Sequence, residues 1–356
     1  MKKIEHKQEK TYRIALDAMG GDFAPANELE GVRQFFEESP LAKDTEVVLV
    51  GDEEKIKAAL SQMDTSKMNY SILHASETIT MHDEASAALK RKRDSSLYKG
   101  LELHSNGGSD AFVSSGNTGA MLSTATVLLG RINGVHRPTI GSFFPTKHKY
   151  PTLVLDVGAN VEAKPRFLYQ FAVMGGIYVT QVLGLENPRI GLLNIGEEPS
   201  KGSAVAQETH QMLSASQMNF IGNIEGRDIL GGAADVVVCD GFTGNIILKF
   251  AESFLGFLKS KIKAYAKKGL FRKAMVAIIA PVLRKIFKEF DYQEYGGVPF
   301  LGVNGVVIVG HGSSTPKAIK NMIVRSVELV KKNVNQKIEL ALNPPLVSKN
   351  NMSGNI

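Results

Sequence analysis

The sequence predicts an α/β protein with a mostly parallel sheet, helices on both faces and an inserted helical protrusion. Three observations point there. Short runs rich in β-branched residues alternate with helical patterns along most of the 356 residues. The runs are apolar throughout instead of alternating, as strands buried on both faces require. A glycine-bearing turn closes each run, as at strand-to-helix junctions of such sheets.

The runs come in order. Residues 12–18 precede Gly20-Gly21-Asp22, and residues 111–115 precede Gly116-Asn117-Thr118-Gly119. Residues 152–157 precede Gly158-Ala159-Asn160, and residues 189–195 precede Gly196. Residues 235–239 precede Asp240-Gly241-Phe242-Thr243-Gly244-Asn245, and residues 306–309 precede Gly310-His311-Gly312-Ser313-Ser314. From about residue 260 to residue 297 this alternation stops. The helix that starts near Thr243 becomes Lys-rich, and a second helical pattern follows Gly269. We read residues 11–341 as one α/β unit of two lobes. A basic amphipathic protrusion spans about 253–295, and an Asn-, Pro- and Ser-rich stretch at 342–356 reads as a disordered tail.

Composition excludes several classes. The chain is 43% hydrophobic and 22% charged, close to a globular average, so it is not a disordered chain. The single cysteine, Cys239, rules out an intrachain disulfide and a cysteine-based zinc site, and it fits a reducing compartment. Cys239 stands in a Val-rich run and reads as core. The longest apolar run, residues 274–283, is half of the ~20 residues that a membrane-spanning helix needs. Residues 1–10 are polar with no apolar centre, unlike a signal peptide, so the sequence reads as a soluble cytoplasmic protein.

Charge is uneven. Residues 253–288 hold ten basic residues and no acidic one, while elsewhere the thirty-two basic residues are outnumbered by thirty-six acidic ones. A nucleic-acid binder would spread its surplus more widely. A local basic patch suits a membrane surface or an acidic partner. Phe271, Met275, Ile278, Val282 and Ile286 recur at steps of three and four and mark one helical face. Lys259, Lys263, Arg272 and Arg284 supply cations in the same segment, and Pro281 is expected to kink or break its helix. The pattern reads as a peripheral membrane helix or a docking surface, and the apolar face alone equally suits a dimer interface.

Each strand-to-helix junction offers free backbone N–H groups at the positive end of a helix, which suits an anion and above all phosphate. The side chains there are mostly donors: Asn117, Thr118, Asn160, Asn194, Lys201, Asn245, His311, Ser313 and Ser314. Nucleotide signatures are missing: no GxxxxGK[ST] occurs, and no GxGxxG opens a helix with an acidic residue about 20 positions on. No GxSxG elbow marks a hydrolase serine. That leaves inorganic phosphate or a small phosphorylated ligand. Asp17, Asp156 and Asp240 end strands, where a carboxylate either caps a turn or meets substrate. Together with Asp22 they could ligate a divalent metal, although their spacing does not require one, and no cofactor is expected. Lys201 is either a solvated lysine or a phosphate countercharge. His311, flanked by glycines on a turn, is a site candidate.

These stretches resemble the bacterial phosphate acyltransferases of phospholipid synthesis. The resemblance rests on Leu16-Asp17-Ala18-Met19-Gly20-Gly21-Asp22, Ser115-Gly116-Asn117-Thr118-Gly119-Ala120 and Leu155-Asp156-Val157-Gly158-Ala159-Asn160. It continues through Gly191-Leu192-Leu193-Asn194-Ile195-Gly196 with Lys201-Gly202, Phe220-Ile221-Gly222-Asn223-Ile224-Glu225 and Val238-Cys239-Asp240-Gly241-Phe242-Thr243-Gly244-Asn245. Tyr295-Gly296-Gly297 and His311-Gly312-Ser313-Ser314 complete an ordered set over roughly residues 12–333. Ser115 stands where the family often has Ala, and Lys90 where Arg is expected.

The resemblance implies a fold of the isocitrate dehydrogenase and phosphate acetyltransferase group, with a cleft between lobes, in a homodimer. It implies conversion of a fatty acyl-[acyl-carrier-protein] and inorganic phosphate to acyl phosphate and free carrier protein. The product would feed a membrane glycerol-3-phosphate acyltransferase, with the enzyme held peripherally at the inner face of an anionic membrane. On this reading Asn117, Thr118, Gly119, Asn160, Asn194, Ser313 and Ser314 form the phosphate cradle. Lys201 is its countercharge, and His311 or Lys249 assists the oxyanion or the leaving thiolate. Asp17, Asp156 and Asp240 orient these groups. Lys259, Lys263, Phe271, Arg272, Met275, Ile278 and Arg284 meet membrane or carrier protein. Two other readings are a metal- and NAD-dependent decarboxylating dehydrogenase of the same fold group, which needs an arginine cluster, and a non-catalytic lipid- or phosphate-binding scaffold.

Overall fold

The computed structural model describes residues 11–289 and 296–344. Its strands are β1 (Tyr12–Asp17), β2 (Thr45–Gly51), β3 (Tyr70–His74), β4 (Ala111–Ser114), β5 (Thr139–Phe144), β6 (Thr152–Leu155), β7 (Ile190–Leu193), β8 (Phe220–Ile224), β9 (Val236–Val238), β10 (Val298–Leu301) and β11 (Val306–Val309). They form one sheet in the order β3-β2-β1-β4-β11-β10-β5-β6-β9-β7-β8. All six runs named from sequence are strands, shortened by up to two residues at an end.

The sheet has two parallel halves. The five strands from β3 to β11 run one way, and β6, β9, β7 and β8 run parallel to one another. Between them β10 pairs antiparallel with both β11 and β5, and β5 pairs antiparallel with β6. Three successive reversals make the halves run in opposite directions. The C-terminal ends of β4 and β11 therefore lie at one edge of the sheet, and those of β6, β9 and β7 at the other.

Helices cover both faces. On the first lie α1 (Ala26–Glu38), α2 (Glu53–Leu60), α6 (Pro165–Leu183), α7 (Ala204–Ser214), α11 (Pro316–Lys331) and α12 (Val334–Leu342). Buried Leu29, Phe35, Phe171, Tyr178, Ile319 and Ile338 join Ile14 and Leu155 in one core. In α11 the positions Ile319, Met322, Ile323 and Val327 repeat at steps of three and four, which puts one stripe on the sheet. Each such side chain, fully buried, contributes about 1.5–3 kcal/mol. On the second face lie α4 (Ser96–Ser105), α5 (Thr118–Leu128) and α8 (Gly226–Gly231), with α3 (Ala85–Arg91) packed on α5. Leu97, Met121 and Ile229 pack there against Ala15, Phe112 and Val154.

The Lys-rich segment forms two packed helices, α9 (Gly241–Ala266) and α10 (Leu270–Glu289). At 26 residues α9 is about 39 Å long, so it runs well past the sheet. Its start is fixed by contact: a Cβ on Gly244 would stand 1.8 Å from the Asp156 carbonyl oxygen, so only glycine lets the helix approach. Contrary to the break considered at Pro281, α10 continues through it. Pro281 has no amide to donate to the Ala277 carbonyl, so that helical hydrogen bond is missing. Residues 290–295 of the expected protrusion, residues 345–356 of the expected tail and the polar residues 1–10 lie outside the described residues.

Candidate active site

On the second face α5 packs beside β11 and α9 beside β6, and the strip of β10 and β5 between them is open. The opening is a cleft of about 1700 Å³. Its floor follows from strand alternation. Ile140, Ser142 and Phe144 of β5 point into it, while Phe143 points away and stacks on Tyr178 of α6 with centroids 6.0 Å apart. Leu122 of α5 forms one wall, and Ile229, Leu248, Ala251 and Leu255 form the other. Lys249 and Lys259 of α9 and Arg284 of α10 lie on the rim.

One end of the cleft is polar. The turn after β4 brings Gly116, Thr118 and Gly119 to it, and the loop after β11 brings His311 and Gly312. Asn117 caps α5: its Oδ1 accepts from the Ala120 amide at 3.0 Å. The amides of Thr118 and Gly119, in the first turn of α5, precede any intrahelical partner, and both residues line this end of the cleft. The Ser313 amide donates to the His311 Nδ1 at 3.2 Å, and the Ser313 Oγ lies 2.8 Å from the same nitrogen. The neutral ring therefore carries its proton on Nε2. The Ser314 hydroxyl donates to the His311 carbonyl at 2.6 Å, tightening the loop. Asp22 also lines this end, with its amide donating to the Gly312 carbonyl at 2.8 Å.

A strap closes over this end. The Asn117 Nδ2 donates to the Asp83 carbonyl at 2.9 Å and the Thr80 carbonyl at 3.2 Å, and Met81 between them lines the cleft. Lys92 pairs with the Asp83 carboxylate at 2.7 Å and holds its pKa well below the usual carboxylate range. Lys92 also donates to the Thr78 carbonyl at 3.0 Å and is thus a structural tie of the strap.

The structure does not bring all the sequence candidates together. Asn160, Asn194, Lys201 and Asp240 follow strands of the half-sheet that runs the other way and do not line the cleft, although Gly158 and Ala159 after β6 and Asn245 of α9 do, and the junction after β7 opens at the opposite edge. Asn160 turns inward, donating to the Pro138 carbonyl at 2.8 Å and to Asp156 at 2.6 Å. Asn194 donates to the Lys201 carbonyl at 3.0 Å, and neither residue lines the cleft. Asp240 caps α9, accepting from the Thr243 amide at 2.8 Å.

Asp156 and Asp17 are fully buried. Asp156 accepts the amides of Gly158, Ala159 and Asn160 at 2.7–2.9 Å. Asp17 accepts the Ser114 hydroxyl at 2.7 Å. Burial pushes both carboxyls up in pKa against these donors. These bonds hold the turns that follow β1 and β6. Cys239 is buried, as its run implied, and burial pushes its thiol well up. Phe271, Ile278 and Val282 of α10 are exposed, Phe271 at 82%. Arg272 lies 5.2 Å from the Tyr265 ring centroid, and Met275 and Lys263 lie outside the cleft lining.

Sequence reasoning missed two groups. Ser142 is hidden in a strand that no turn announced. Glu28 looked like an ordinary acid in a helix's first turn, although it falls on the apolar stripe of α1, four residues before Val32. Among the described residues no three His, Cys, Asp or Glu side chains are grouped to hold a metal ion, and Arg284 is the single arginine lining the cleft. The arginine cluster that a dicarboxylate site requires is thus not assembled there. No helix among the described residues is long and apolar enough to cross a membrane.

Comparison with known proteins identifies the family and the fold. A family described as "Fatty acid synthesis protein" matches residues 12–337. The chain is 43% identical to a phosphate acyltransferase of Dictyoglomus turgidum over 332 residues, covering 93% of this chain and 98% of that one. It is 46% identical to a phosphate acyltransferase of Chlorobaculum tepidum over 328 residues, covering 90% and 98%. Among solved structures it is similar to a phosphotransacetylase from Streptococcus pyogenes, with a TM-score of 0.59 at 15% identity, covering 90% and 94% of the two chains. The EutD phosphotransacetylase from Staphylococcus aureus gives 0.56 at 16% identity, covering 92% and 95%. At those identities the structural likeness speaks for the fold.

Proposed function

We propose that this chain, which belongs to the phosphate acyltransferase family of fatty acid synthesis proteins, moves a fatty acyl group from an acyl-carrier-protein thioester to inorganic phosphate. The observation that carries the substrate assignment is the cleft itself. It is a long apolar slot whose one polar end gathers helix amides and a histidine. An acyl chain lies along Leu122, Phe144 and Leu248, and its thioester carbonyl reaches the polar end.

Phosphate near neutral pH is partly dianionic, with a second pKa of ~6–7 like that of a phosphate ester. It attacks a thioester without a strong base, and a pantetheine thiol of pKa ~8.5 leaves readily. The protein's task is to hold the anion beside the carbonyl and to stabilise the oxyanion. Thr118 and Gly119 offer amides to the anion, with Ser313 beside them. A phosphate oxygen bonds to the carbonyl carbon, the C–S bond breaks, and the proton of hydrogen phosphate ends on the thiol. The His311 Nε2–H serves the oxyanion and then the departing sulfur. Asp22 accepts a hydrogen bond from the hydroxyl of hydrogen phosphate until that proton moves to the sulfur, and His311 keeps its own Nε2 proton throughout. No acyl-enzyme forms.

The partners follow from the surface. The cations of α9 and α10 beside exposed Phe271 and Ile278 suit an anionic membrane, near which each Lys or Arg contributes ~1 kcal/mol. An acidic carrier protein approaches the same rim at Lys259 and Arg284. Acyl phosphate released there passes to a membrane glycerol-3-phosphate acyltransferase in phospholipid synthesis, and the enzyme acts as a homodimer. The test is phosphate-dependent release of free carrier protein from its acylated form. Release at the same rate without phosphate would overturn the assignment.

A further inference from the structure

Beneath the polar end of the cleft lies a carboxyl that the transfer chemistry does not use. Glu28 is 1% exposed. Its Oε1 accepts the Ser115 hydroxyl at 2.9 Å, and its Oε2 is buried with no hydrogen-bond partner. Gly21 closes over the pair: a Cβ there would stand 2.3 Å from Oε1 and 2.8 Å from the Ser115 Oγ. Gly21 precedes Asp22 and Ser115 precedes Gly116, and both Asp22 and Gly116 line the cleft. One buried side chain therefore touches both loops that flank the polar end.

We propose that Glu28 is a positioning residue that works as a neutral acid: it sets the spacing of the Gly21-Asp22 loop and the Ser115–Gly119 turn, and ionisation releases it. This rests on the phosphate reading of that end of the cleft. A buried carboxylate needs two or three firm donors to stay charged. Here the Ser115 hydroxyl is the one close donor, with weaker support from the backbone of Gly21 and of Glu28 itself. The partnerless Oε2 would strand negative charge out of water, whereas a neutral acid strands only a dipole. Asp17 on β1 is the titratable group whose field, when it is ionised, reaches Glu28 and disfavours ionisation there too. The loop side presents Asp22. On α11, Pro316 and Ile319 pack against Gly31, one turn along α1. Burial first, and Asp17 after it, push the carboxyl up to about 7, so both forms exist near neutral pH.

The test compares the full-length wild type with Glu28→Gln, a neutral isostere, from pH 6 to 8. The ionisation of phosphate is common to both proteins and divides out. Only the neutral fraction of wild type is competent, so the ratio of wild-type to variant KM for phosphate should rise about tenfold between pH 6 and pH 8, with kcat equal. In the same proteins without substrate, the Gly116 and Asn117 amide signals should shift with a midpoint near pH 7 in wild type and stay still in the variant. Should Glu28→Gln not fold, Ser115→Ala should raise the KM several-fold at pH 6 and Ser115→Thr should restore it. A flat KM ratio, still amide signals in wild type, or a Ser115→Ala protein with wild-type KM at pH 6 each overturns the proposal. A wild type with no phosphate-dependent turnover would instead refute the functional reading, and the substrate-free amide signals would still decide the role of Glu28.

Discussion

The Asn117 side chain joins two segments through its two ends: Oδ1 caps α5 while Nδ2 donates to the Asp83 carbonyl at 2.9 Å. The strap over the cleft and the amides at its polar end therefore move together. Asn117→Ala should cost about 1 kcal/mol of stability through the lost cap and raise the KM for phosphate tenfold or more. Asn117→Asp keeps the cap oxygen but puts a negative charge beside the anion. It also replaces the Nδ2 donor with an oxygen facing the Asp83 and Thr80 carbonyls, so it should melt below wild type and its KM should rise. Thermal melts and phosphate titrations of the initial rate check both.

His311 and Lys201 were both candidates, and the opposed half-sheets separate them. His311→Gln should lower kcat about a hundredfold with little change in the KM for phosphate, since the ring acts on charge that develops during the reaction. Lys201→Ala should leave both constants within twofold, because its loop opens at the other edge. Steady-state kinetics at saturating acyl carrier protein distinguish the two.

How far the site could be read from sequence follows from this pair. The six named strands were legible because strands covered on both faces are apolar throughout. The central β5 and β10 were not. Ser142 interrupts one, and Pro299 sits within the other, where a central strand seldom tolerates proline. Those two strands reverse the direction of the second half-sheet. No residue at Asn160, Asn194 or Lys201 announces its own strand's direction, so the sequence places these residues and Thr118 in one set of junctions. Glu28 escaped for another reason: an acid in a helix's first turn is ordinarily explained by the helix dipole.

Stability should fall as pH rises. Glu28, Asp17 and Asp156 all have pKa values raised by burial. A raised acid pKa means that the folded state holds its proton more tightly than the unfolded chain. The associated stability is complete below the unfolded pKa and is lost as pH climbs through the folded one. For Glu28 that window runs from 4.5 to about 7 and is worth roughly 3 kcal/mol. Denaturant midpoints should fall between pH 5 and pH 8, and Glu28→Gln should flatten part of the slope. A wild-type midpoint that rises over this range would contradict the assignment.

Ala251 lines the cleft from α9. Ala251→Phe should shorten the slot. Displacing two methylenes into water costs about 1.6 kcal/mol, a factor of about fifteen in kcat/KM for a long acyl chain, with short chains unaffected. A series of acylated carrier proteins of graded chain length reads this out. An equal loss at every length would place the acyl chain elsewhere.

The exposed face of α10 predicts lipid binding. Wild type should float with anionic vesicles at low salt, and Phe271→Ser with Ile278→Ser should reduce flotation with no loss of stability, since both side chains are already exposed. Flotation unchanged by the double substitution would remove this face from the membrane contact.

The most direct measurement of the central claim is a single-turnover reaction of the enzyme with acylated carrier protein, followed with and without inorganic phosphate. Direct attack in the cleft predicts carrier protein and acyl phosphate released together in equal amounts, only with phosphate present and with no acylated enzyme at any time. Carrier protein released without phosphate, or acyl label trapped on the enzyme before phosphate is added, would contradict it.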